Sequence, residues 1–134
     1  AQRTQLAGSI IVSTPQDIAL LDVRKGINMF RRVQVPILGI VENMSHFICP
    51  HCGERSDIFD HGGAKTTAEK FGIEFLGEIP LDIGIRETSD GGRPIVISKS
   101  SSPHALAYMA IAQNLLDSLK KSTGTQPRPK IVMD

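Results

Sequence analysis

Residues 9–41 read SIIVSTPQDIALLDVRKGINMFRRVQVPILGIV, and this stretch decides the fold class. Residues 9–13 and 37–41 are apolar runs rich in β-branched side chains, which is typical of strands buried on both faces of a parallel sheet. Between them, apolar side chains recur every three to four residues, which predicts an amphipathic helix packed on that sheet. A strand, a helix and a strand with short connections form a βαβ unit, so we expect parallel strands. The helical stripe consists of Ala19, Leu20, Val23, Ile27 and Phe30.

The helix of this unit has recognisable ends in the sequence. Thr14 is the expected N-cap, Pro15 fits the first turn, and Asp17 lies three residues after the cap, as in a capping box. The dipeptide Val35-Pro36 ends the helix, because the residue before a proline disfavours the α conformation. These boundaries leave the following apolar run to form the second strand.

The rest of the chain alternates helices and strands in the same way. We expect a helix over residues 62–71, followed by a strand over residues 75–79. Asp82 caps a brief helix, residues 94–98 are extended, and a last helix begins at Ser102. The predicted buried stripe of that last helix consists of Ala105, Met109, Ala112, Leu116 and Leu119.

This alternation predicts an α/β fold with a mainly parallel sheet. Three strands are few for a doubly wound domain, and no nucleotide-binding loop follows the first strand. The pattern is therefore that of the back half of such a domain. We assign residues 1–121 to this part of a domain. Residues 122–134 carry turn formers without periodicity, and we expect them to form a disordered tail.

Composition excludes some classes of protein. The chain has 134 residues, 40% of them hydrophobic and 22% charged, which suits one globular domain. Its net charge of +1 gives no strong field toward nucleic acid or a membrane surface. No apolar run reaches the roughly 18 residues that a membrane span needs. We therefore expect neither a nucleic-acid partner nor a transmembrane segment. Because the first residue is Ala1, we expect a processed protein or a piece of a longer one.

The strongest functional signal is the loop over residues 45–60, which contains both cysteines of the chain, Cys49 and Cys52. Their CxxC spacing, without a secretory signal, favours a metal or redox role in a reducing compartment. Two sulfurs are half a site, because structural zinc and a [4Fe–4S] cluster each need four ligands. The other half can come from His46, His51 or His61, which would make a mononuclear zinc site and a non-catalytic binding module.

Two other completions of the cysteine pair remain open. Two copies of the chain can share one cluster on a two-fold axis, each donating its pair. The pair can also be a redox dithiol, as in a thiol oxidoreductase. The dithiol interpretation is the weaker one, because a thioredoxin-like CxxC opens a helix whereas Cys49 and Cys52 lie inside a polar loop.

The chain contains no phosphate-binding loop. Residues 62–66, GGAKT, fail the G-x-x-x-x-G-K-[ST] pattern because Ala64 precedes the lysine and Phe59 replaces the first glycine. We interpret Lys65 as a surface lysine of a helix. Asn43 ends a strand where such sheets bind ligands, and its amide suits the edge of a purine base. A local turn hydrogen bond is the preferred interpretation of Asn43 from its position alone, and Pro80 lies at the end of the next strand.

The sequence resembles the C-terminal half of the Mrp/ApbC family of P-loop ATPases, which carry and deliver iron–sulfur clusters. The likeness covers about residues 6–120 and is greatest to the mitochondrial Ind-type branch needed for respiratory complex I assembly. It rests on the motifs STPQD at 13–17, GIVENMS at 39–45, CPHC at 49–52, EIPL at 78–81, IRE at 85–87 and PIV at 94–96.

The resemblance implies a MinD-like P-loop NTPase domain and a homodimer. Cys49 and Cys52 would pair with their copies in a second subunit and hold a [4Fe–4S] cluster for delivery to apo iron–sulfur recipient proteins. Asn43 would contact the adenine of ATP with Pro80 beside it. The compartment would be the mitochondrial matrix, or the cytoplasm for a bacterial member. The family's phosphate loop precedes residue 1, so we do not expect these residues to hydrolyse ATP alone.

Overall fold

The computed structural model describes residues 6–123 of the chain. The elements alternate along the chain as the sequence predicts, with a small hairpin inserted after the second strand. In order they are β1 Ser9–Ser13, α1 Asp17–Arg32, β2 Ile37–Asn43, β3 Phe47–Ile48, β4 Arg55–Ser56, α2 Gly63–Phe71, β5 Phe75–Ile79, α3 Ile83–Asp90, α4 Ile95–Ser98 and α5 Pro103–Thr123.

The main sheet has three strands in the order β1-β2-β5, and both strand pairs are parallel. The predicted parallel βαβ unit is therefore confirmed. Because all three strands run the same way, the segments that follow them meet at one edge of the sheet, and Asn43 at the end of β2 pairs with Ile79 of β5. One residue earlier, Glu42 pairs with Glu78, which places two carboxylates side by side. Strands β3 and β4 form a separate antiparallel pair.

Helices cover both faces of the sheet. On one face, α1 and α2 bury a cluster around Leu20, Val23, Ile27 and Ile40. The predicted stripe of α1 is confirmed at Leu20, Val23 and Ile27, whereas Ala19 and Phe30 are half-buried. On the other face, α5 packs against a second cluster of Val41, Leu76 and Ile79. The β1 strand is uncovered on this second face, because Ile10 and Val12 are 39% and 59% exposed.

The predicted cap of α1 is wrong by two residues. The helix begins at Asp17 and its N-cap is Gln16, which makes no side-chain capping hydrogen bond. Thr14 does not reach the helix, because its hydroxyl instead donates to Oε1 of Gln16 at 3.0 Å. The other caps are confirmed: the amide N–H of Gly84 donates to Asp82 Oδ1 at 2.7 Å, and that of Ala105 donates to Ser102 Oγ at 3.1 Å.

The prediction of extended backbone at residues 94–98 is also wrong, because this segment forms the helical turn α4. The amide N–H groups of Ile97 and Ser98 both donate to the carbonyl oxygen of Pro94. Ile95 is 4% exposed, and the turn packs against α5. Burial of Ile95 overrides the strand preference of a β-branched run, because this preference depends strongly on tertiary context.

The buried face of helix α5 agrees with the prediction at Ala105, which is fully buried, and differs from it farther along the helix. Met109 and Leu116 of the predicted stripe are 59% and 51% exposed. The sheet is instead contacted by Tyr108, Ile111 and Leu115. The helix carries apolar residues on both sides, so its composition does not select one face. Two polar anchors select it, since Asn114 Nδ2 donates to Leu76 O at 2.8 Å and Ser118 Oγ donates to Leu38 O at 2.9 Å.

The structure extends α5 to Thr123, and the remainder of the tail predicted from Ser122 lies outside the described residues. Among the helices of residues 6–123, none combines the length and the apolar character that a bilayer crossing requires.

Candidate functional site: a thiol hairpin beside a buried carboxylate

The cysteine motif occupies the tip of the β3–β4 hairpin. Just beyond the strands, the amide N–H of Cys49 donates to Glu54 O at 2.9 Å, and that of Gly53 donates to Cys49 O at 2.8 Å. Gly53 has a φ of +74°, a left-handed conformation that glycine adopts without steric cost. Within the predicted cysteine loop of residues 45–60, the structure therefore has a hairpin whose hydrogen-bonded turn presents residues 49–52.

Both thiols are free, with Cys49 half-buried and Cys52 exposed. The pKa of the Cys49 thiol is lowered because the backbone N–H groups of Cys52 and His51 donate to its sulfur, and the Cys52 thiol adds a third hydrogen bond. These donors favour the thiolate, which is the form that binds metals and attacks disulfides. The hairpin thus holds two sulfurs together, one of them stabilised as an anion and the other open to solvent.

A buried carboxylate, which sequence reasoning missed, fixes the loop behind the hairpin. Glu42 is 0% exposed, and its Oε1 accepts hydrogen bonds from the Ser45 hydroxyl at 2.7 Å and the Gly62 amide at 3.0 Å. Its Oε2 accepts from the Ala64 amide at 2.9 Å. The N-terminus of α2 is an anion-binding site, and here the anion is a side chain of the same protein. The signal in the sequence was an acidic residue within an otherwise apolar strand.

The double glycine before α2 serves this arrangement. Gly62 has a φ of +80°, and a Cβ added at Gly63 would lie 2.7 Å from both the carbonyl oxygen of Pro15 and Cδ1 of Leu20. The segment that resembles a phosphate loop therefore binds a carboxylate and packs against the β1–α1 connection. Lys65 is exposed, as predicted.

Ser45 connects Glu42 to three polar side chains at the carboxyl end of the sheet, those of His46, His61 and Glu78. Its Oγ lies 3.0 Å from Nδ1 of His61 and 3.1 Å from Oε2 of Glu78. Nε2 of His61 is 3.7 Å from the same carboxylate, and Nδ1 of His46 is 3.8 Å from its Oε1. The structure thus groups two of the three histidines considered for zinc with Glu78. Within residues 6–123, neither cysteine belongs to a group of three or more potential ligand atoms.

The two residues predicted at a base-binding site lie on neighbouring segments. Asn43 Oδ1 accepts a hydrogen bond from the amide of Met44 at 3.0 Å, which is the expected turn contact. Within the described part of the chain, its Nδ2 makes no hydrogen bond, so that donor is available to a ligand. Pro80 follows the Asn43–Ile79 pair and lines a cavity of about 490 Å³ with Cys49, although Asn43 does not line it.

The chain matches the family model ParA, described as NUBPL iron-transfer P-loop NTPase, over residues 1–116. This chain belongs to that family. It is 55% identical over 119 residues to the Iron-sulfur cluster transfer protein NUBPL of Dictyostelium discoideum, covering 89% of this chain and 37% of the relative. It is 54% identical over 121 residues to an Arabidopsis thaliana protein named Iron-sulfur protein required for NADH dehydrogenase, mitochondrial, covering 90% and 39%. The NUBPL-family chain described here therefore spans less than half of these relatives.

Solved structures support the same fold. A nucleotide-binding protein of Archaeoglobus fulgidus, in complex with ADP and with cobalt detected in it, matches at 43% identity and a TM-score of 0.60 over 73% of this chain and 39% of its own. The cell-division ATPase MinD of Pyrococcus furiosus matches at 25% identity and a TM-score of 0.66 over 83% and 43%. The predicted family and the MinD-like P-loop NTPase fold are both confirmed.

The residues present in this NUBPL-family chain do not form a binding site for the phosphates of a nucleoside triphosphate. The amides of Gly62 and Ala64 are engaged with Glu42, and residues 1–134 contain no G-x-x-x-x-G-K-[ST] sequence. We therefore derive no hydrolytic step from them.

Proposed function

We propose that this chain is the cluster-binding part of an iron–sulfur cluster carrier, in which Cys49 and Cys52 hold a [4Fe–4S] cluster as cargo. The observation that carries the proposal is the hairpin tip, where backbone N–H groups lower the pKa of Cys49 next to the exposed Cys52. Cluster irons bind thiolates, so a pair in which the Cys49 thiol is already biased toward the thiolate is suited to accept them.

The cluster is shared between two copies of the chain. A [4Fe–4S] cluster takes four thiolates, and one chain contains two cysteines. Because neither cysteine lies in a larger ligand group within residues 6–123, the missing pair comes from a second copy related by a two-fold axis. The exposure of Cys52 at the hairpin tip permits this approach without rearrangement of the sheet.

Delivery follows from the same exposure. A cluster held at a hairpin tip has its sulfur ligands near solvent, where the thiolates of an acceptor protein can displace them one at a time. Few buried groups surround the tip, so the cluster is retained by its ligands rather than by the protein interior. A carrier needs a cluster that is both accessible to an acceptor and held only by its ligands, whereas a permanent redox centre is buried.

A nucleotide regulates loading or release in the complete protein. Asn43 contacts the adenine through its available Nδ2, and the backbone at Pro80 lies beside the base. The amide of Leu81, next to Pro80, donates to the carbonyl oxygen of His46 at 2.7 Å, and His46 lies on the segment that leads into β3. A shift of the Pro80 segment on nucleotide binding is thereby transmitted to the thiol hairpin.

Two relatives suggest the recipient and the compartment. The Arabidopsis relative is named as an iron–sulfur protein required for NADH dehydrogenase and as mitochondrial. We assign this chain to the mitochondrial matrix, with apo subunits of respiratory complex I as its recipients. A bacterial relative from Escherichia coli, 49% identical over 115 residues, is named Iron-sulfur cluster carrier protein, so the cytoplasm is the alternative for a bacterial source.

The proposal is tested by anaerobic reconstitution with ferrous iron and sulfide, followed by desalting and measurement of bound iron and acid-labile sulfide. The double variant Cys49→Ala/Cys52→Ala is expected to retain no acid-labile sulfide and none of the iron that accompanies it in a cluster. His51→Ala is the matched control, because His51 lies exposed between the cysteines and supplies no thiolate. Equal loading of the double variant and the unmodified chain would refute the proposal.

A further inference from the structure

The group formed by His46, His61 and Glu78 has no assigned role, and it differs in chemistry from the thiol hairpin. Each of the three residues offers one potential metal-ligand atom, and these atoms lie within 4.8 Å of one another. They come from three separate elements: His46 follows β2, His61 precedes α2, and Glu78 lies in β5. Only the parallel register, in which Glu42 pairs with Glu78, brings them together.

Ser45 holds the ring of His61 against Glu78. Its Oγ lies 2.7 Å from Oε1 of Glu42, 3.0 Å from Nδ1 of His61 and 3.1 Å from Oε2 of Glu78. The other ring nitrogen of His61, Nε2, lies 3.7 Å from the Glu78 carboxylate, which is beyond hydrogen-bonding distance.

His46 also places a ring nitrogen without a hydrogen-bond partner near the Glu78 carboxylate. Its Nδ1 is buried and, within the described residues, has no hydrogen-bond partner. The nearest charged atom is Oε1 of Glu78 at 3.8 Å, beyond hydrogen-bonding distance. Buried polar atoms are rarely left without a partner, and such atoms need a specific explanation. A cation between His46, His61 and Glu78 would satisfy all three.

We propose that His46, His61 and Glu78 bind one divalent transition-metal ion at a site distinct from the cysteines. Two imidazole nitrogens and one carboxylate oxygen are the donor set of mononuclear zinc and ferrous sites, and they are too poor in oxygen for magnesium or calcium. Zinc bonds of about 2.0–2.2 Å place tetrahedral ligand atoms about 3.4 Å apart. The site therefore forms from the observed spacing by an inward movement of less than about 1 Å.

The surroundings are those of a metal site with an open position. Ser45 is the positioning residue, because its bond to Nδ1 orients the ring of His61 as the outer partner of a metal ligand does. His46 and Glu78 also line the cavity of about 490 Å³ that contains Cys49. A three-ligand ion there would keep its remaining position toward that cavity, where water or a small anion can bind.

The site goes beyond the proposed cluster chemistry and is tested without it. The double variant Cys49→Ala/Cys52→Ala, which has no thiol, is titrated with Zn²⁺ by calorimetry and with Co²⁺ by absorption spectroscopy. We expect one ion per chain and a cobalt spectrum without thiolate charge-transfer bands. In that background, His46→Ala and the isosteric Glu78→Gln are expected to weaken binding at least tenfold, and Ser45→Ala about 10- to 100-fold.

His104→Ala is the matched control, because His104 lines the same cavity but pairs with Asp82 at 3.2 Å. It is expected to leave the affinity unchanged, and circular dichroism of each variant establishes that the fold is intact. The proposal is overturned if the cysteine-free chain takes up no metal, or if folded His46→Ala and Glu78→Gln variants bind as tightly as their parent. Because the chain tested has no cysteine, neither result bears on cluster loading.

Discussion

Replacing the buried carboxylate of Glu42 by an amide tests the internal frame of the site. Glu42→Gln keeps the shape of the side chain and removes its charge. In the structure the carboxylate accepts three hydrogen bonds at 0% exposure, from Ser45 and from the amides of Gly62 and Ala64. The amide has one acceptor oxygen, so its NH₂ group must face at least one backbone N–H.

The expected cost follows from these three bonds. One charge-assisted bond is lost, at about 2 kcal/mol, and two are weakened to neutral bonds, at about 1 kcal/mol each. Glu42→Gln should therefore lower the free energy of unfolding by about 4 kcal/mol, a large fraction of the stability of a small domain. Urea unfolding followed by circular dichroism measures this difference.

Glu69→Gln is the control, because Glu69 is exposed on α2 and should change the stability by less than about 0.5 kcal/mol. If the free energies of unfolding of the Glu42 and Glu69 variants agree within about 1 kcal/mol, the carboxylate does not fix the α2 N-terminus, and the reasoning from its hydrogen bonds fails.

Three further predictions follow from packing and from the thiol. Gly63→Ala should destabilise by about 1–3 kcal/mol, because its Cβ would lie 2.7 Å from a backbone carbonyl oxygen, whereas Gly26→Ala has open space in α1 and should stabilise by up to about 1 kcal/mol. Ile111→Ala should cost about 2–4 kcal/mol in urea unfolding and the exposed Met109→Ala less than about 0.5, and the reverse order would contradict the observed face of α5. In the Cys52→Ala variant, the alkylation rate of Cys49 should reach half its maximum at a lower pH than the rate of a free cysteine in a peptide. The reason is that a thiol with a lowered pKa forms thiolate earlier as the pH rises. An equal or higher midpoint would show that the backbone N–H groups do not lower the pKa of Cys49.

The main sheet was predictable because its strands carry a strong local signal. The runs at 9–13 and 37–41 are continuous and β-branched, and both form strands of the parallel sheet. The limits of β5, Phe75–Ile79, agree with prediction because Gly72 before it and Pro80 after it interrupt regular structure on both sides. In helix α1 the prediction found the buried residues Leu20, Val23 and Ile27, although Ile18, Leu21 and Met29 of the same helix are exposed.

The errors arise where a local pattern permits two structures. Helix α5 has apolar residues on two sides, and two hydrogen bonds to strand carbonyls decide which side faces the sheet. Residues 94–98 favour a strand by composition, but they pair with none of the three described strands of the main sheet, and the burial of Ile95 decides for a helical turn. Tertiary contacts decide both structures, and these contacts cannot be predicted from the spacing of residues along the chain.

The candidate site was only half accessible to sequence reasoning. Cys49 and Cys52 are neighbours in the chain, so their spacing alone suggests a shared ligand. The group of His46, His61 and Glu78 spans 33 positions and depends on the pairing of Glu42 with Glu78, which no local pattern specifies. The role of Asn43 and Pro80 in binding a base stays a prediction, supported by the available Nδ2 of Asn43.

The central claim is that one chain supplies half of the cluster's ligands and a second copy supplies the rest. The most direct test is to measure iron, protein and molar mass in one anaerobic sample, by light scattering coupled to size-exclusion chromatography after reconstitution. The account predicts that iron elutes with a dimer at about two irons per chain, since four thiolates hold four irons. Iron or zinc bound stoichiometrically to a monomer through Cys49 and Cys52 would contradict it.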